Sequence, residues 1–298
     1  MIYEHPLAYL LGLEGVALLR GFAGEHDREF VDARIAEVRA LLDDPSPAGA
    51  AVHTERVDPV PGYRAWARTY DEEPNGAFAI DEPIVADILD TLPAGDALDA
   101  ACGTGRFSAV LAERGHRVVG VDGSPDMIDR ARSRVPDAEF RTGDLRHLPV
   151  ADGSVDLVLC ALALTHVPAL GPAFGEFARV LRPGGHLVIS DVHPERVLRG
   201  SVPSVRDAAG RPGRIVSHRH SVGDYLRAAL PHGFLPRRCE EPVPPAPENP
   251  ESPPRATEPG PWDEWPWSLA AMVPEAARAA SAAVPTMLIW HFERCYEK

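Results

Sequence analysis

The first stretch that could form a binding site is a glycine-rich turn, which lies between a short apolar run and a helical pattern. It reads LDAACGTGRFSAVLAERG, residues 98–115. Gly103 and Gly105 let the backbone approach a ligand closely and aim free N–H groups at it. Asp122 closes the next apolar run about 20 residues beyond the turn, where a carboxylate can accept hydrogen bonds from both hydroxyls of a ribose. Together these residues predict a site for a nucleoside-containing ligand.

The turn departs from the pattern that binds dinucleotides. That pattern is G-x-G-x-x-G, and this chain has Ser108 where the third glycine would stand. A tight turn that needs glycine only for its geometry is the structural alternative. It explains Gly103 and Gly105 but not the acidic residue that follows them.

Histidines after two later apolar runs could do acid–base chemistry. His166 lies in ALTHVP and His193 in SDVHP. A neutral imidazole can take a proton from a hydroxyl or an amine near pH 7, although either histidine could instead order its loop. His218 and His220 alternate as on one face of a strand, but no H-x-x-x-H pattern is present, so we expect no metal site.

The elements that must position these residues alternate from about Ile80 onward. Residue periodicity predicts, in chain order, helix DEPIVADILDTL, strand DALDAA, helix RFSAVLAERG, strand RVVGVDG, helix SPDMIDRARSRV, strands AEFRTGDL and VDLVLCALAL, helix ALGPAFGEFARVL and strand GGHLVISDV. Such alternation is typical of a doubly wound α/β fold with a mostly parallel sheet. Ligands bind these sheets at the carboxyl ends of the strands, so the site is expected there.

An N-terminal helical addition, a cap or lid, is expected over residues 1–76. Apolar residues at helical spacing in YLLGLEGVALLRGF and DREFVDARIAEVRALLDD predict two helices. Residues 58–81 are expected to form a loop that contains Tyr63, Trp66 and Tyr70. Tyr70 is our candidate for closing over the ligand, and Trp66 for anchoring the helices.

Two insertions are expected in the remaining domain, residues 77–298. A Gly-Arg-Pro-Gly turn predicts a hairpin within about residues 195–222. The segment at about 242–283 is rich in proline and ends in the helical pattern SLAAMVPEAARAASAA. Three tryptophans between residues 262 and 267 could line a substrate pocket, or they could pack together and hold the loop in place. We expect both insertions to cover a substrate.

Composition limits the partners and the compartment. The 298 residues carry 44 acidic and 30 basic side chains, a formal charge of −14, which disfavours nucleic acid as a partner. The four cysteines form no CxxC pair, so neither a zinc site nor a disulfide framework is indicated. No run approaches the ~18 apolar residues of a membrane span, and the first residues do not have the pattern of a signal peptide. These features predict a cytoplasmic protein that acts away from the membrane.

Five motifs in order resemble those of the class I S-adenosylmethionine-dependent methyltransferases. They read LDAACGTG, VVGVDGSPDM, RTGDLRHLP, DLVLCALALTHV and LRPGGHLVISD. The resemblance spans about residues 80–192, and MLIWHFER could supply the antiparallel final strand of that family. It implies a seven-stranded, mostly parallel, Rossmann-like sheet, S-adenosylmethionine as the cofactor and a small molecule as the acceptor.

The resemblance also implies roles around the adenosine part of the cofactor. Asp122 would hold the ribose hydroxyls, and Met127 would pack against the adenine face. Asp144 would accept a hydrogen bond from the adenine amino group, with a backbone contact from Leu145. An Asp after a strand is otherwise a helix cap or turn residue, and a Met at helical spacing otherwise fills core.

Around the methionine part, the resemblance implies that Gly103 and Gly105 bring the backbone close, with Asp99 just before them. Ala161 would border the same portion, and His166 falls where many small-molecule members carry a histidine that faces the substrate. The complete set of cofactor-binding candidates is Tyr70, Asp99, Ala101, Gly103, Gly105, Asp122, Met127, Asp144, Leu145 and Ala161.

The sequence therefore predicts a methyltransferase that acts on an oxygen, nitrogen or carbon atom of a small-molecule metabolite, with His166 and His193 as catalytic candidates. An NAD(P)-dependent oxidoreductase is the first alternative, and Ser108 and the LRPGG turn count against it. A protein that binds the cofactor without transferring the methyl group is the second. The N-terminal helices could form a homodimer contact or a lid.

Overall fold

The computed structural model describes residues 1–67, 70, 76–244 and 255–295. The chain divides into two compact units. The first combines Met1–Arg56, Arg199–Arg214 and Val243–Val284, and the second combines Val57–Leu198, Ile215–Pro242 and Pro285–Lys298. Residues 1–56 of the expected N-terminal addition thus lie in the first unit, and residues 57–76 lie in the second.

The strands and helices of the described residues are numbered in chain order. The strands are β1 (Ile2–Glu4), β2 (Val52–Val57), β3 (Asp96–Ala100), β4 (Arg117–Asp122), β5 (Glu139–Thr142), β6 (Val155–Ala161), β7 (Leu181–Val192), β8 (Ser204–Arg206), β9 (Pro212–Ile215), β10 (Phe234–Glu240) and β11 (Met287–Arg294). The helices are α1 (Pro6–Phe22), α2 (Arg28–Asp43), α3 (Pro45–Gly49), α4 (Pro59–Trp66), α5 (Phe78–Leu89), α6 (Arg106–Glu113), α7 (Pro125–Arg134), α8 (Gly171–Val180), α9 (Pro194–Leu198), α10 (Val222–Ala229), α11 (Trp267–Ala270) and α12 (Pro274–Ser281).

The second unit is built on a seven-stranded sheet with the order β10-β11-β7-β6-β3-β4-β5. Strands β3 to β7 pair in parallel, and β11 runs antiparallel to both β7 and β10. This confirms the predicted doubly wound, mostly parallel sheet. Because β3 lies between β4 and β6, the winding of the chain reverses at β3, and a crevice is expected at the carboxyl ends of these strands.

Buried apolar residues explain why this sheet forms. In β6, VDLVLCA, all but the second and last residues are buried, as expected for a central parallel strand covered on both faces. One side of the sheet packs against an aromatic cluster in which Phe174 lies edge-to-face against Tyr225, Phe234 and Phe292. The carboxyl ends of the parallel strands are therefore held rigidly in place.

The first unit has its own core and a second sheet with the order β1-β2-β9-β8. Helix α1 packs against α2 and α12. Trp262 and Trp265 are buried in that core, and the indole N–H of Trp262 donates to Glu4. Two of the three tryptophans therefore hold their segment together, while Trp267 is exposed.

Several predicted elements were wrong in detail. The expected loop over residues 58–81 contains α4, where Pro59 occupies the first turn because the missing N–H costs nothing there. The expected long helix from residue 268 is divided into α11 and α12, because Pro274 cannot continue the first helix and begins the second. The predicted hairpin is confirmed as the antiparallel pair β8 and β9, but its turn covers residues 207–211, because Pro212 and Gly213 already belong to β9.

The middle of the proline-rich segment, residues 245–254, lies outside the described residues. Among the helices that the structure does describe, none has the length and apolar character needed to cross a membrane.

Candidate active site

A cavity of about 620 Å³ opens at the carboxyl ends of β3, β4, β5 and β6. Its volume is within the range of roughly 300–1,000 Å³ that small-molecule sites occupy. The position is the one that the reversal of winding at β3 predicts. Helix α4 and the residue just before it also contribute, through Asp58, Pro59, Val60 and Tyr63.

The cavity brings together nine of the twelve residues that the sequence singled out. These are Tyr70, Ala101, Gly103, Asp122, Met127, Asp144, Leu145, Ala161 and His166. Asp99, Gly105 and His193 are not among the described lining residues.

The glycine turn is joined to the end of β4 by one hydrogen bond. The N–H of Gly103 donates to Oδ2 of Asp122 over 2.8 Å. Gly103 has φ of +53°, and a Cβ built on it would meet nothing within 4 Å, so its α-carbon faces open space. Ala101, with φ of +60°, turns the chain out of β3 in the same left-handed region. The turn thus presents bare backbone to the cavity.

Asp122 is partly buried, and its carboxylate is held by backbone groups. In addition to the bond from Gly103, Oδ1 accepts a hydrogen bond from the N–H of Ser124 over 2.7 Å. Desolvation of the carboxylate raises the pKa of Asp122, and the two backbone bonds lower it. Since each carboxylate oxygen can accept more than one hydrogen bond, Asp122 keeps capacity for hydroxyl donors.

Asp99 and Gly105 act beneath the turn instead of at the cavity surface. Asp99 is 2% exposed and accepts a hydrogen bond from the Ser108 hydroxyl over 2.6 Å. Burial raises the pKa of Asp99 to about 6, and the bond from Ser108 opposes that shift. Gly105 has φ of +82°, and a Cβ there would come within 3.1 Å of the Ala131 backbone. Ser108, which replaces the third glycine of the dinucleotide pattern, therefore has a structural partner.

Asp144 lines the cavity from the loop after β5. Its side chain is half exposed and forms a salt bridge with Arg146, with Oδ2 2.6 Å from the guanidinium. Arg146 lowers the pKa of Asp144, which is therefore ionised at neutral pH. Met127 is 2% exposed and lines the cavity, and it also belongs to the buried apolar core.

His166 is paired with Tyr63 at the cavity wall. The Tyr63 hydroxyl lies 2.8 Å from Nε2 of His166, and the carbonyl of Val216 lies 2.7 Å from Nδ1. A carbonyl can only accept, so Nδ1 carries the hydrogen and Nε2 of the neutral ring accepts from Tyr63. Burial lowers the pKa of His166, which keeps the ring neutral near pH 7.

The short turn that carries His166 is held from two sides. Asp191, at the end of β7, accepts a hydrogen bond from the N–H of Thr165 over 2.6 Å. The N–H of His218 donates to the Thr165 carbonyl over 2.6 Å, and Nε2 of His220 lies 2.9 Å from the Val167 carbonyl. His218 and His220 therefore support the loop, and their rings stack at 6.2 Å.

His193 has a different environment. Its Nε2 lies 2.8 Å from a carboxylate oxygen of Glu241, and its Nδ1 accepts a hydrogen bond from the N–H of Glu195 over 3.2 Å. Both ring nitrogens are thus engaged. Within the ranges that the structure describes, no group of three or more His, Cys, Asp or Glu side chains could hold a metal ion.

Sequence reasoning missed the contribution of α4 and the partner of His166. Tyr63 was expected in a loop, yet it lies on α4, whose Gly62 packs so closely on Ile215 that a Cβ would come within 2.7 Å of that side chain. The one local signal was the Asp58-Pro59 pair, which is typical of a helix start. No local signal pairs Tyr63 with a histidine 103 residues away.

Comparison with known proteins relates the second unit to methyltransferases. Residues 98–189 match a family model described as a methyltransferase domain. The chain is 36% identical over 129 residues to malonyl-[acyl-carrier protein] O-methyltransferase of Yersinia pestis, covering 43% of this chain and 45% of that protein. It is 34% identical over 168 residues to demethylmenaquinone methyltransferase of Renibacterium salmoninarum, covering 56% of this chain and 64% of that protein. The chain spans less than two thirds of the length of each relative.

Solved structures share the fold. The DhpI–SAH complex aligns with a TM-score of 0.53 and 23% identity, over 80% of this chain and 96% of that one. A putative methyltransferase in complex with the Trm112 methyltransferase activator of Haloferax volcanii also aligns with a TM-score of 0.53 and 23% identity, over 78% and 98% of the two chains. At 23% identity, the similarity establishes the fold of this chain and not its activity.

Proposed function

We propose that this chain, which belongs to the class I S-adenosylmethionine-dependent methyltransferase family, transfers a methyl group from S-adenosylmethionine to an oxygen, nitrogen or carbon atom of a small-molecule metabolite. The observation that carries the proposal is the cavity in which the Gly103 turn and Asp122 meet across 2.8 Å. When bound, S-adenosylmethionine supplies a methyl group on a positively charged sulfur. The chain itself would bind the two reactants, align them and exclude water.

The described cavity residues fit this cofactor. Gly103 leaves room at the position of its missing Cβ, so a ligand can approach the backbone of the turn. Asp122 has spare acceptor capacity for the ribose hydroxyls, since its carboxylate holds only two backbone bonds in the described structure. Met127 offers an apolar surface for adenine, and the ionised Asp144 offers an acceptor for the adenine amino group.

We expect Ala101, Leu145 and Ala161 to contact the cofactor through their backbones, as part of the same proposal. Tyr70 lines the cavity and would close over the cofactor from the side of α4. Asp99 and Gly105 would act indirectly, by shaping the turn. Of the two catalytic candidates, His166 is favoured as the base because it lines the cavity.

Calorimetric titration with S-adenosylmethionine and S-adenosylhomocysteine tests the proposal. We expect both ligands to bind the full chain, and Asp122→Ala to weaken binding about 10- to 100-fold, the usual contribution of hydrogen bonds to a charged group. Asp137→Ala is the matched control, because Asp137 is exposed and is not among the residues that line the cavity. Absence of binding, or equal binding by the Asp122 variant, would refute the assignment.

Two other functions remain as outcomes of further measurements. Enhanced NADH fluorescence on titration would favour the oxidoreductase, which neither the family model nor the cited relatives support. Binding of S-adenosylmethionine without release of S-adenosylhomocysteine, across a broad panel of acceptors, would favour a protein that binds the cofactor without transferring its methyl group.

The proposed acceptor is a small molecule and not a nucleic acid, in line with the formal charge of −14. We also propose a cytoplasmic location, supported by four cysteines that are all free thiols. A homodimer through α1 is the proposed assembly, because α1 leaves Leu19 and Phe22 exposed. Light scattering on the protein as it elutes from a size-exclusion column measures its molar mass, which for a homodimer is twice that of one chain.

A further inference from the structure

The pairing of Tyr63 with His166 determines which group of the cavity wall can meet an acceptor. Both nitrogens of His166 have partners, Val216 at Nδ1 and Tyr63 at Nε2. A phenolic oxygen donates one hydrogen bond and accepts others. Since Tyr63 donates its hydrogen to His166, its oxygen is left as an acceptor at a wall of the cavity.

We propose that Tyr63 is the residue that contacts the methyl acceptor, that it and His166 form a proton-transfer pair, and that the acceptor is therefore a hydroxyl compound. This inference rests on the proposed function. It narrows the oxygen, nitrogen or carbon acceptor to an uncharged O–H group of the alcohol, phenol or enol type.

The proton moves along the pair as the methyl group is transferred. The acceptor O–H bond and the S–CH₃ bond of the donor would break as an O–CH₃ bond forms, and the electron pair of the S–CH₃ bond would stay on sulfur. The acceptor proton passes to the oxygen of Tyr63, and the hydrogen of Tyr63 passes to Nε2 of His166. The positive charge thus ends on the imidazolium of His166, which later returns its proton to water.

The two rings are positioned by one segment of backbone. The N–H of Val216 donates to the Val57 carbonyl over 2.9 Å, just before α4 begins, and the Val216 carbonyl accepts from His166. The rings meet edge-to-face, with centroids 5.3 Å apart and an angle of 74°. Such double anchoring gives the fixed donor-to-acceptor geometry that proton transfer requires.

The charges around the cavity disfavour an anionic acceptor. The acidic residues Asp58, Asp122 and Asp144 line it, and Arg146, the one Arg or Lys among the described lining residues, is held by Asp144. A carboxylate or phosphate acceptor would face these negative charges. An ionised carboxylate or phosphate also has no proton to lose before methylation, so it would not need the Tyr63–His166 pair as a base.

Titratable groups of neighbouring elements act electrostatically on the pair. Besides burial, which has the largest effect, Tyr70, Asp122 and Asp191 raise the pKa of Tyr63, and His218 lowers the pKa of His166. Burial raises the pKa of Tyr63 well above its ordinary value, so the phenol does not ionise on its own near neutral pH. A proton can therefore leave Tyr63 only as another arrives, with His166 as the base.

The first test measures S-adenosylhomocysteine release with phenols, enols and alcohols against matched amines, carboxylic acids and thiols. We expect turnover to be confined to hydroxyl compounds. Tyr63→Phe should then lower kcat by about 10²- to 10⁴-fold, the usual contribution of acid–base catalysis, and change KM and the Kd for S-adenosylhomocysteine by about twofold or less. Tyr3→Phe, on the exposed face of β1, is the matched control.

His166→Gln separates proton transfer from simple positioning. Glutamine keeps a hydrogen-bond acceptor for Tyr63 but cannot hold a proton, so kcat should fall about as far as in Tyr63→Phe. If His166 only positions Tyr63, Gln would preserve kcat, and the proposal is overturned. Turnover of amines, carboxylates or thiols as fast as hydroxyl compounds also overturns the proposal.

A measurement that needs no acceptor completes the test. Histidine nitrogen NMR of the full chain with S-adenosylhomocysteine added should show His166 neutral, with its hydrogen on Nδ1. A hydrogen on Nε2 would leave no lone pair for the Tyr63 proton and would refute the pair. If calorimetry shows no binding of S-adenosylmethionine or S-adenosylhomocysteine, the proposed function is refuted. If both ligands bind but any of the contrary results above is obtained, only this inference is refuted.

Discussion

Asp191 accepts a hydrogen bond from the N–H of Thr165 over 2.6 Å and so ties the end of β7 to the turn that carries His166. A second bond, from the N–H of Val192 over 2.7 Å, holds the other carboxylate oxygen. Asp191 is 1% exposed, and burial raises its pKa to about 7, against the backbone bonds that lower it. The support of the candidate base is therefore itself sensitive to pH.

Stability should depend on pH through Asp191. Its pKa in the unfolded chain is about 3.9, so the stability that comes from the raised pKa is complete below that value. It is lost as pH rises through the folded pKa of about 7. Relative to Asp191→Asn, which does not titrate, the wild type should lose on the order of 2 kcal/mol in free energy of unfolding between about pH 5 and pH 8. Urea unfolding of both proteins at the two pH values checks this, and a constant difference between them contradicts it.

Ser108→Ala should destabilise the second unit by about 1–3 kcal/mol, because it removes the hydroxyl that donates a hydrogen bond to the buried carboxylate of Asp99. The pKa of Asp99, already raised to about 6 by burial, should rise further. Urea unfolding measures the loss. Ser133→Ala is the control, since the exposed Ser133 hydroxyl bonds a helix carbonyl, and its change should stay within about 0.5 kcal/mol. Equal stability of the two variants would argue against a structural role for Ser108.

The features that the sequence predicted well are those encoded locally. Gly103 and Asp122 lie at a strand-to-helix turn and at the end of the next strand, and parallel pairing of β3 with β4 necessarily brings them together. The same logic placed Asp144 and Ala161 at the ends of β5 and β6. Local pattern and sheet topology therefore suffice to bring these residues to one cavity.

The part of the cavity wall that holds Tyr63 and His166 depends on contacts that no short pattern encodes. Helix α4 has eight residues and includes two prolines, so its periodicity was too weak to distinguish from a loop. Tyr63 meets His166, and His166 meets Val216, across separations of 103 and 50 residues. His193 and His166 have similar positions after strands, and only their tertiary partners distinguish them.

The two glycines of the turn should respond differently to alanine. Gly105→Ala combines a left-handed φ with a Cβ that would press on the Ala131 backbone at 3.1 Å, so it should destabilise the protein by about 2–3 kcal/mol. Gly103→Ala faces open space, and strain at its φ of +53° should cost only about 1 kcal/mol. Its new methyl group should instead weaken S-adenosylhomocysteine binding. Thermal unfolding and calorimetry measure the two effects, and the reverse pattern would contradict the placement of the turn.

The rate of methyl transfer should fall in acid with a midpoint below pH 6.5. Only neutral His166 can receive a proton, so activity rises with pH through the pKa of His166, which burial lowers from its ordinary value. The plateau should therefore extend to a lower pH than an exposed histidine would allow. Profiles of kcat for S-adenosylhomocysteine release, with any hydroxyl acceptor that the panel finds, provide the measurement. His53→Gln, at an exposed histidine of β2, should leave the profile unchanged, whereas the residual activity of His166→Gln should lose the acid limb. A midpoint well above 6.5 in the wild type, or an acid limb that survives in His166→Gln, would assign the titration to another group.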